Sequence, residues 1–202
     1  MTYFVYLNGP PKSGKDTIAN LLAERYENVV HVKFAQMLRE AVGAIFGIDE
    51  AEYDRQKDNK IALRFDSMKV WPGMSYRQFV MRLSEKVLKP NFGKGYLGVA
   101  LAERILKIPK ADDIDTVYIV SDLGFSDELY EFRCRVSVTD SLLIQLHRDG
   151  LNFNNDSRGY VTDVIQPVKV STNCSVAESV AEVESLIRDM LIHYNDTLQE
   201  AK

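Results

Sequence analysis

The sequence predicts an α/β fold, a parallel β-sheet flanked by helices. Three observations carry that expectation. Short apolar runs alternate with segments of helical period, the pattern of βαβ units whose strands pair in parallel. The first apolar run passes straight into a glycine-containing turn that opens a helix. Polar side chains far apart in the chain follow the ends of predicted strands, the rim on which parallel sheets bind ligands.

The elements follow in order. Residues 3–7, YFVYL, end at the turn residues Asn8, Gly9, Pro10 and Pro11 and read as a buried strand. From Lys15 the period changes, with Ile18, Leu21, Leu22 and Tyr26 on one helical face. VVHVKF, residues 29–34, is a second strand. AQMLREAVGAIFG has helical spacing at Met37, Leu38, Val42 and Phe46 and stops at Gly47. Residues 49–74 are polar and irregular, a surface excursion with room for a short helix. Ser75 is placed to cap the helix YRQFVMRLSEKVL, which should end before Pro90. After the turn NFGKGY, LGVALAERILKI is a further helix closed by Pro109.

Val117 to Val120 is the clearest later strand and leads into Ser121 and Asp122. SDELYEFR reads as a short helix, and residues 142–147 as a strand with Arg148 at its carboxyl end. LNFNNDSRGYVTDVIQP is polar and turn-rich, and VKVSTN is the last strand. A long helix capped by Ser175 follows, with an apolar face of Val180, Val183, Leu186, Ile187, Met190 and Leu191. Packing against the core is the preferred use of that face, and a homodimer contact is the other. No repeat, low-complexity linker or domain boundary interrupts the chain, so one domain over 1–202 is expected.

Composition excludes several function classes. With 202 residues, 46% hydrophobic and 27% charged, the chain can bury a sizeable core. The net charge is -4 and no Lys/Arg run stands out, which argues against a nucleic-acid partner. Cys134 and Cys174 lie far apart with no metal-ligand spacing, so two reduced thiols are expected. His31 and His147 sit in strand-like runs and are expected to pack. The first apolar run lacks a basic leader, so it reads as a strand and not a signal peptide. No apolar run approaches the ~20 residues that span a bilayer. A soluble cytoplasmic protein with no membrane partner is expected.

The chemistry begins at NGPPKSGKDT, residues 8–17. Gly9, four residues, then Gly14-Lys15 match a phosphate-binding P-loop in the required setting, after a strand and before a helix. Loop and helix N–H groups can surround phosphate oxygens. Gly14 permits close approach, and Lys15 can bridge the β- and γ-phosphates. Lys12 and Ser13 complete the loop. The position that normally carries the Mg²⁺-binding hydroxyl is Asp16, and Thr17 follows one residue late. A carboxylate or a hydroxyl suits Mg²⁺, so both residues stay open as ligands. A helix-dipole role is also open to Asp16.

Other P-loop classes fit poorly. Asn59-Lys60-Ile61-Ala62 lacks the Asp of a guanine-reading motif, and Asp156-Ser-Arg-Gly159 follows no strand. A motor or helicase would need more chain and more motifs. A small kinase remains.

GPPKSGKDT, VKFAQMLREAV, YRQFVMRLSEKVLKPNFGKGYLGVALAERI, VYIVSDLGFSDEL, LHRDG and NDSRGY occur in that order. In this the chain resembles the phage-type deoxynucleoside monophosphate kinases of the P-loop nucleoside monophosphate kinase-like group, over about residues 3–192. That family shares the Gly-Lys-Asp-Thr variant. The resemblance implies ATP- and Mg²⁺-dependent phosphoryl transfer to a deoxynucleoside 5′-monophosphate. Related small-molecule kinases, of phosphomevalonate or dephospho-coenzyme A type, are the neighbouring alternative. A non-catalytic ATP-binding protein is the alternative from another class.

Phosphoryl transfer needs positioning and charge neutralisation, which selects the remaining candidates. Asp122, at a strand end, is placed to orient Mg²⁺ or its waters, with a helix-cap role as its other use. Relatives often carry Asp-x-Arg there, but this chain has Asp122-Leu123-Gly124. Arg39 and Arg77 are candidates to grip the acceptor phosphate in a bidentate way. Phe34, Trp71 and Tyr76 are candidates to stack on its base. Arg148 and Arg158 look like lid arginines that close over the phosphates.

Overall fold

The first apolar run builds β1 (Thr2–Asn8), and every residue of it is buried. Its side chains alternate between two cores, as a strand covered on both faces requires. Phe4 and Tyr6 join one core, and Tyr3, Val5 and Leu7 join the other. The computed structural model describes residues 1–59, 74–108, 115–154 and 156–200.

Five parallel strands form the sheet in the order β2-β3-β1-β4-β5. They are β1, β2 (Val29–Val32), β3 (Thr116–Leu123), β4 (Asp140–His147) and β5 (Pro167–Ser171). With β1 central, the chain leaves to one side for β2 and to the other for β4. A crevice therefore opens beyond the carboxyl end of β1, the switch point where such sheets bind ligands. This is the P-loop α/β fold.

Helices cover both faces. On one side α1 (Lys15–Arg25) and α8 (Val176–Glu200) pack on Tyr3, Val5, Leu7, Ile119 and Ile144. Val180, Val183 and Ile187 of α8 are buried in that core, so this apolar face packs inward. On the other side lie α2 (Gln36–Phe46), α6 (Tyr96–Leu106) and α7 (Ser126–Arg133), where Phe132 meets Phe4, Tyr6 and Phe34 edge-on. The excursion adds α3 (Glu50–Gln56) and α4 (Tyr76–Arg82), whose Tyr53 and Tyr76 make a small core with Val42. Among the described residues no helix is long and apolar enough to cross a membrane.

Two boundaries differ from expectation. The second strand stops at Val32, two residues short of Phe34, because the Asp122 carboxylate takes the N–H groups of Phe34 and Ala35 and turns the chain. Ser75 caps α4 with a complete capping box to Gln78, as expected. That helix nevertheless runs past Pro90. A π-helical segment, Leu83–Leu88, widens it before α5 (Lys89–Phe92). Pro90 is the second residue of α5, directly after the π turn.

Candidate functional site

The loop between β1 and α1 is shaped by small residues. A Cβ at Gly9 would come within 2.8 Å of both the Leu146 carbonyl oxygen and the Ser13 hydroxyl. Gly14 adopts φ 98° and Lys12 φ 69°, left-handed conformations that build anion-binding concavities. No side chain caps α1, which leaves its first N–H groups for a ligand or water. The Lys15 ammonium folds back into the loop. It donates to Gly9 O at 2.6 Å, Pro10 O at 2.8 Å and Ser13 Oγ at 3.3 Å. Burial, reinforced by the Arg158 charge, lowers its pKa to about 8 against the pull of Asp16, Asp122 and Asp156.

Asp16 is half exposed and joins a polar chain across the sheet edge. The Ser121 hydroxyl donates to its Oδ1 at 2.6 Å, and Lys33 Nζ lies 3.5 Å from the same oxygen. Burial raises its pKa, but Lys33, Ser121, Arg39 and His31 outweigh this and hold it below the ordinary value. His31 Nε2 contacts Ser121 Oγ at 2.6 Å, and burial with the Lys33 charge lowers its pKa to about 4. The ring is neutral at neutral pH. The one hydroxyl proton of Ser121 goes to Asp16 Oδ1 and its oxygen faces His31 Nε2, while His31 Nδ1 faces Asn20 Oδ1 at 2.6 Å. Thr17 is exposed and lines the same cavity. Its hydroxyl makes no hydrogen bond among the described residues.

Asp122 is committed elsewhere. Its Oδ1 accepts from Phe34 N at 2.7 Å and its Oδ2 from Ala35 N at 2.9 Å. Burial raises its pKa, opposed by those two bonds. It ties β3 to the entry of α2, whereas the cap role open to it in the sequence lay on the following helix. The available donor set, Thr17 and Asp16 with Asp122 behind, is all oxygen and suits Mg²⁺. Among the described residues no cluster of three or more His, Cys, Asp or Glu could hold a metal. An ion here would keep waters or phosphate oxygens as ligands, the habit of Mg²⁺.

A cavity of about 930 Å³ runs from this loop to α2, α4, the π segment, α6 and α7. It brings together Lys12, Ser13, Gly14, Lys15, Asp16, Thr17, Phe34, Arg39, Arg77, Asp122, Arg148 and Arg158, all named from the sequence. Gly9 lies buried beneath the loop. Trp71 lies outside the described residues. Tyr76 does not line the cavity, because it packs with Tyr53 and Phe46 in the small core.

Each paired arginine of the cavity faces a carboxylate. Arg39 is 3.3 Å from Asp54 and 3.7 Å from Glu50, with its guanidinium over the Tyr53 ring. Arg77 Nε donates to Asp58 at 2.5 Å. Arg158 Nε donates to Asp156 at 2.9 Å. Arg148 is exposed and has no ion pair among the described residues. A Cβ at Gly124 would collide with the Arg158 side chain. The missing side chain at Gly124 is thus the space that Arg158 occupies.

Sequence reasoning missed Lys33, Ser121, Asn8 and Glu128. Asn8 is buried and donates to the carbonyls of Leu123 and Gly159 while accepting from Val161 N, which joins β1 to β3 and to the polar segment after β4. Glu128 shares the apolar face of α7 with Leu129 and Phe132, a misplacement visible in the sequence. Asn173 accepts from Asp149 N and links the ends of β4 and β5.

No known family profile matches this chain, and no curated protein does. Among solved structures it is similar to a gluconokinase from Sinorhizobium meliloti 1021, at 16% identity and TM-score 0.45 over 95% of each chain. It is also similar to a shikimate kinase from Aquifex aeolicus VF5, at 16% identity and TM-score 0.44, covering 94% of this chain and 98% of that one. A dephospho-CoA kinase from Campylobacter jejuni gives 12% identity and TM-score 0.48, covering 94% and 97%. At these distances the chain's own geometry carries the functional reading.

Proposed function

We propose that this chain is a P-loop kinase that moves the γ-phosphoryl group of ATP to a deoxynucleoside 5′-monophosphate. The observation that supports this is a continuous cavity of about 930 Å³, in which the phosphate loop and two carboxylate-held arginines, Arg39 and Arg77, share one space. A site that only bound ATP would need no second set of phosphate-sized cation groups.

In this reading an oxygen of the acceptor phosphate bonds to the γ-phosphorus while the bond from that phosphorus to the β–γ bridging oxygen breaks. ADP leaves, and the acceptor becomes the diphosphate. Lys15 leaves its carbonyl partners to meet the β- and γ-phosphates, and the loop N–H groups hold them. Arg39 and Arg77 exchange carboxylate for acceptor phosphate, an exchange between similar bidentate geometries. Arg148 and Arg158 neutralise the charge in transit and exclude water from it. Mg²⁺, held by Thr17 or Asp16, would neutralise the donor phosphates. Cytoplasmic location and a monomeric or homodimeric state stay expectations.

The test is ADP formation from ATP and Mg²⁺ with a panel of deoxynucleoside monophosphates, phosphomevalonate and dephospho-coenzyme A. Monophosphate-dependent ADP supports the reading. Turnover of only the latter two moves the chain to the neighbouring kinases. ATP binding with no turnover of any acceptor makes it a binding protein.

A further inference from the structure

The apolar end of the cavity contains a polar group that the phosphate chemistry does not use. Phe34, Leu38, Val80, Leu97 and Phe125 line this end, and Glu128 lines it with them. Glu128 is 2% exposed, and its Oε1 has no hydrogen-bond partner among the described residues. The nearest cation is Lys89, whose Nζ is 3.8 Å away, beyond hydrogen-bond range. Lys89 is already engaged, bonded to Glu85 at 2.7 Å and seated 3.5 Å from the centre of the Phe125 ring. Arg158, the other nearby cation, is held by Asp156.

A buried polar atom without a partner is costly. A carboxyl kept in an apolar slot that opens into a ligand cavity fits a partner that arrives with the ligand. Resting on the kinase reading above, we propose that Glu128 is a specificity-determining residue that reads the N–H edge of the acceptor's planar base. The lining has matching chemistry: apolar side chains for the ring faces and one directional group for the edge. Burial pushes the Glu128 carboxyl up to about 8, so near neutral pH it can donate as well as accept. An edge with an N–H beside an acceptor complements such a group, and a sugar phosphate without a base does not.

The experiment uses the full chain and the deoxynucleoside monophosphates it turns over. Glu128→Leu should raise acceptor KM at least about tenfold and leave ATP KM within twofold, the size of one lost hydrogen bond to a charged or buried group. It should also raise Tm, since it removes an unpartnered polar group, whereas a structural carboxyl would lower Tm on removal. Glu128→Gln should recover part of the acceptor affinity. Independently of folding, wild-type enzyme should lose about tenfold in KM when the base N–H is methylated. Glu128→Leu should be nearly indifferent to that methyl. Unchanged acceptor KM in an active Glu128→Leu enzyme, or an equal methylation penalty in both enzymes, overturns the assignment alone. Wild-type enzyme that phosphorylates no deoxynucleoside monophosphate overturns the kinase reading first, and this inference with it.

Discussion

The phosphate loop and the half of the cavity proposed to take the acceptor are held in opposite ways. In the loop, a cation rests on backbone oxygens and one hydroxyl, with Lys15 on Gly9 O, Pro10 O and Ser13 Oγ. In the acceptor half, cations rest on carboxylates, Arg39 on Asp54 and Arg77 on Asp58. The loop is local: nine consecutive residues from Gly9 to Thr17 make its shape. The acceptor half draws on α2, α3, α4, the π segment, α6 and α7. A site closed by its own backbone is preformed for one ligand group, a phosphate chain. A site closed by side-chain ion pairs can be retuned residue by residue, which suits the proposed role of this half in recognising an acceptor.

The largest test of this contrast is Lys15→Ala. The variant should fold and lose turnover by at least about 10²–10³-fold, the scale of removing one preorganised charge donor. Steady-state rates with a thermal melt check it. Retained turnover would break the donor role of the loop.

Arg77→Ala and Arg39→Ala should raise acceptor KM by roughly 10–100-fold with ATP KM little changed, as a lost charge-assisted bond predicts. Arg39→Ala should also lower Tm, because its guanidinium packs over Tyr53. An Arg77→Ala enzyme with normal monophosphate dependence would remove that residue from the site.

Asp122→Asn separates two roles. The carboxylate accepts from two backbone N–H groups, and an amide offers one acceptor and sets an NH₂ against the other N–H. The expected result is a loss of about 1–3 kcal/mol in denaturant unfolding. A shift in Mg²⁺ dependence with unchanged stability would instead make Asp122 a metal-orienting residue.

The pH tests follow from two opposite shifts. Lys15 falls from 10.5 to about 8, and bound polyphosphate should restore it toward its ordinary value. Nucleotide binding should therefore take up a proton above pH 8, with affinity falling as pH rises through that value. Calorimetry in buffers of different ionisation enthalpy reads the uptake, and none would mean that Lys15 does not meet the phosphates. Glu128 rises from 4.5 to about 8. The folded state holds a proton that the unfolded state has lost, so this carboxyl lowers stability progressively from pH 4.5 to 8. Glu128→Leu should flatten that slope. The smallest effect belongs to Ser75→Ala, which removes a capping box at the cavity's far wall and should cost about 1 kcal/mol.

How much was legible in the sequence depends on range. The strand-loop-helix of residues 3–25 was readable because its pattern is contiguous: an apolar run, glycines at turns and a change of period. The inward face of α8 was readable for the same reason. The end of β2 was not, since Asp122, far along the chain, takes the N–H groups of Phe34 and Ala35. The passage through Pro90 was not, since a π segment has no composition signature.

The sequence by itself determined the fold class and the phosphate loop, because each follows from local periodicity and short spacing, and it named four of the arginines that line the cavity. Only the tertiary structure decided their partners. It set Asp16 beside Ser121 and Lys33, fitted Arg158 against Gly124, and left Glu128 Oε1 bare in an apolar slot. Those outcomes turn on which side chains of distant segments meet at a few ångströms, and hydrogen bonding and desolvation act only at that range.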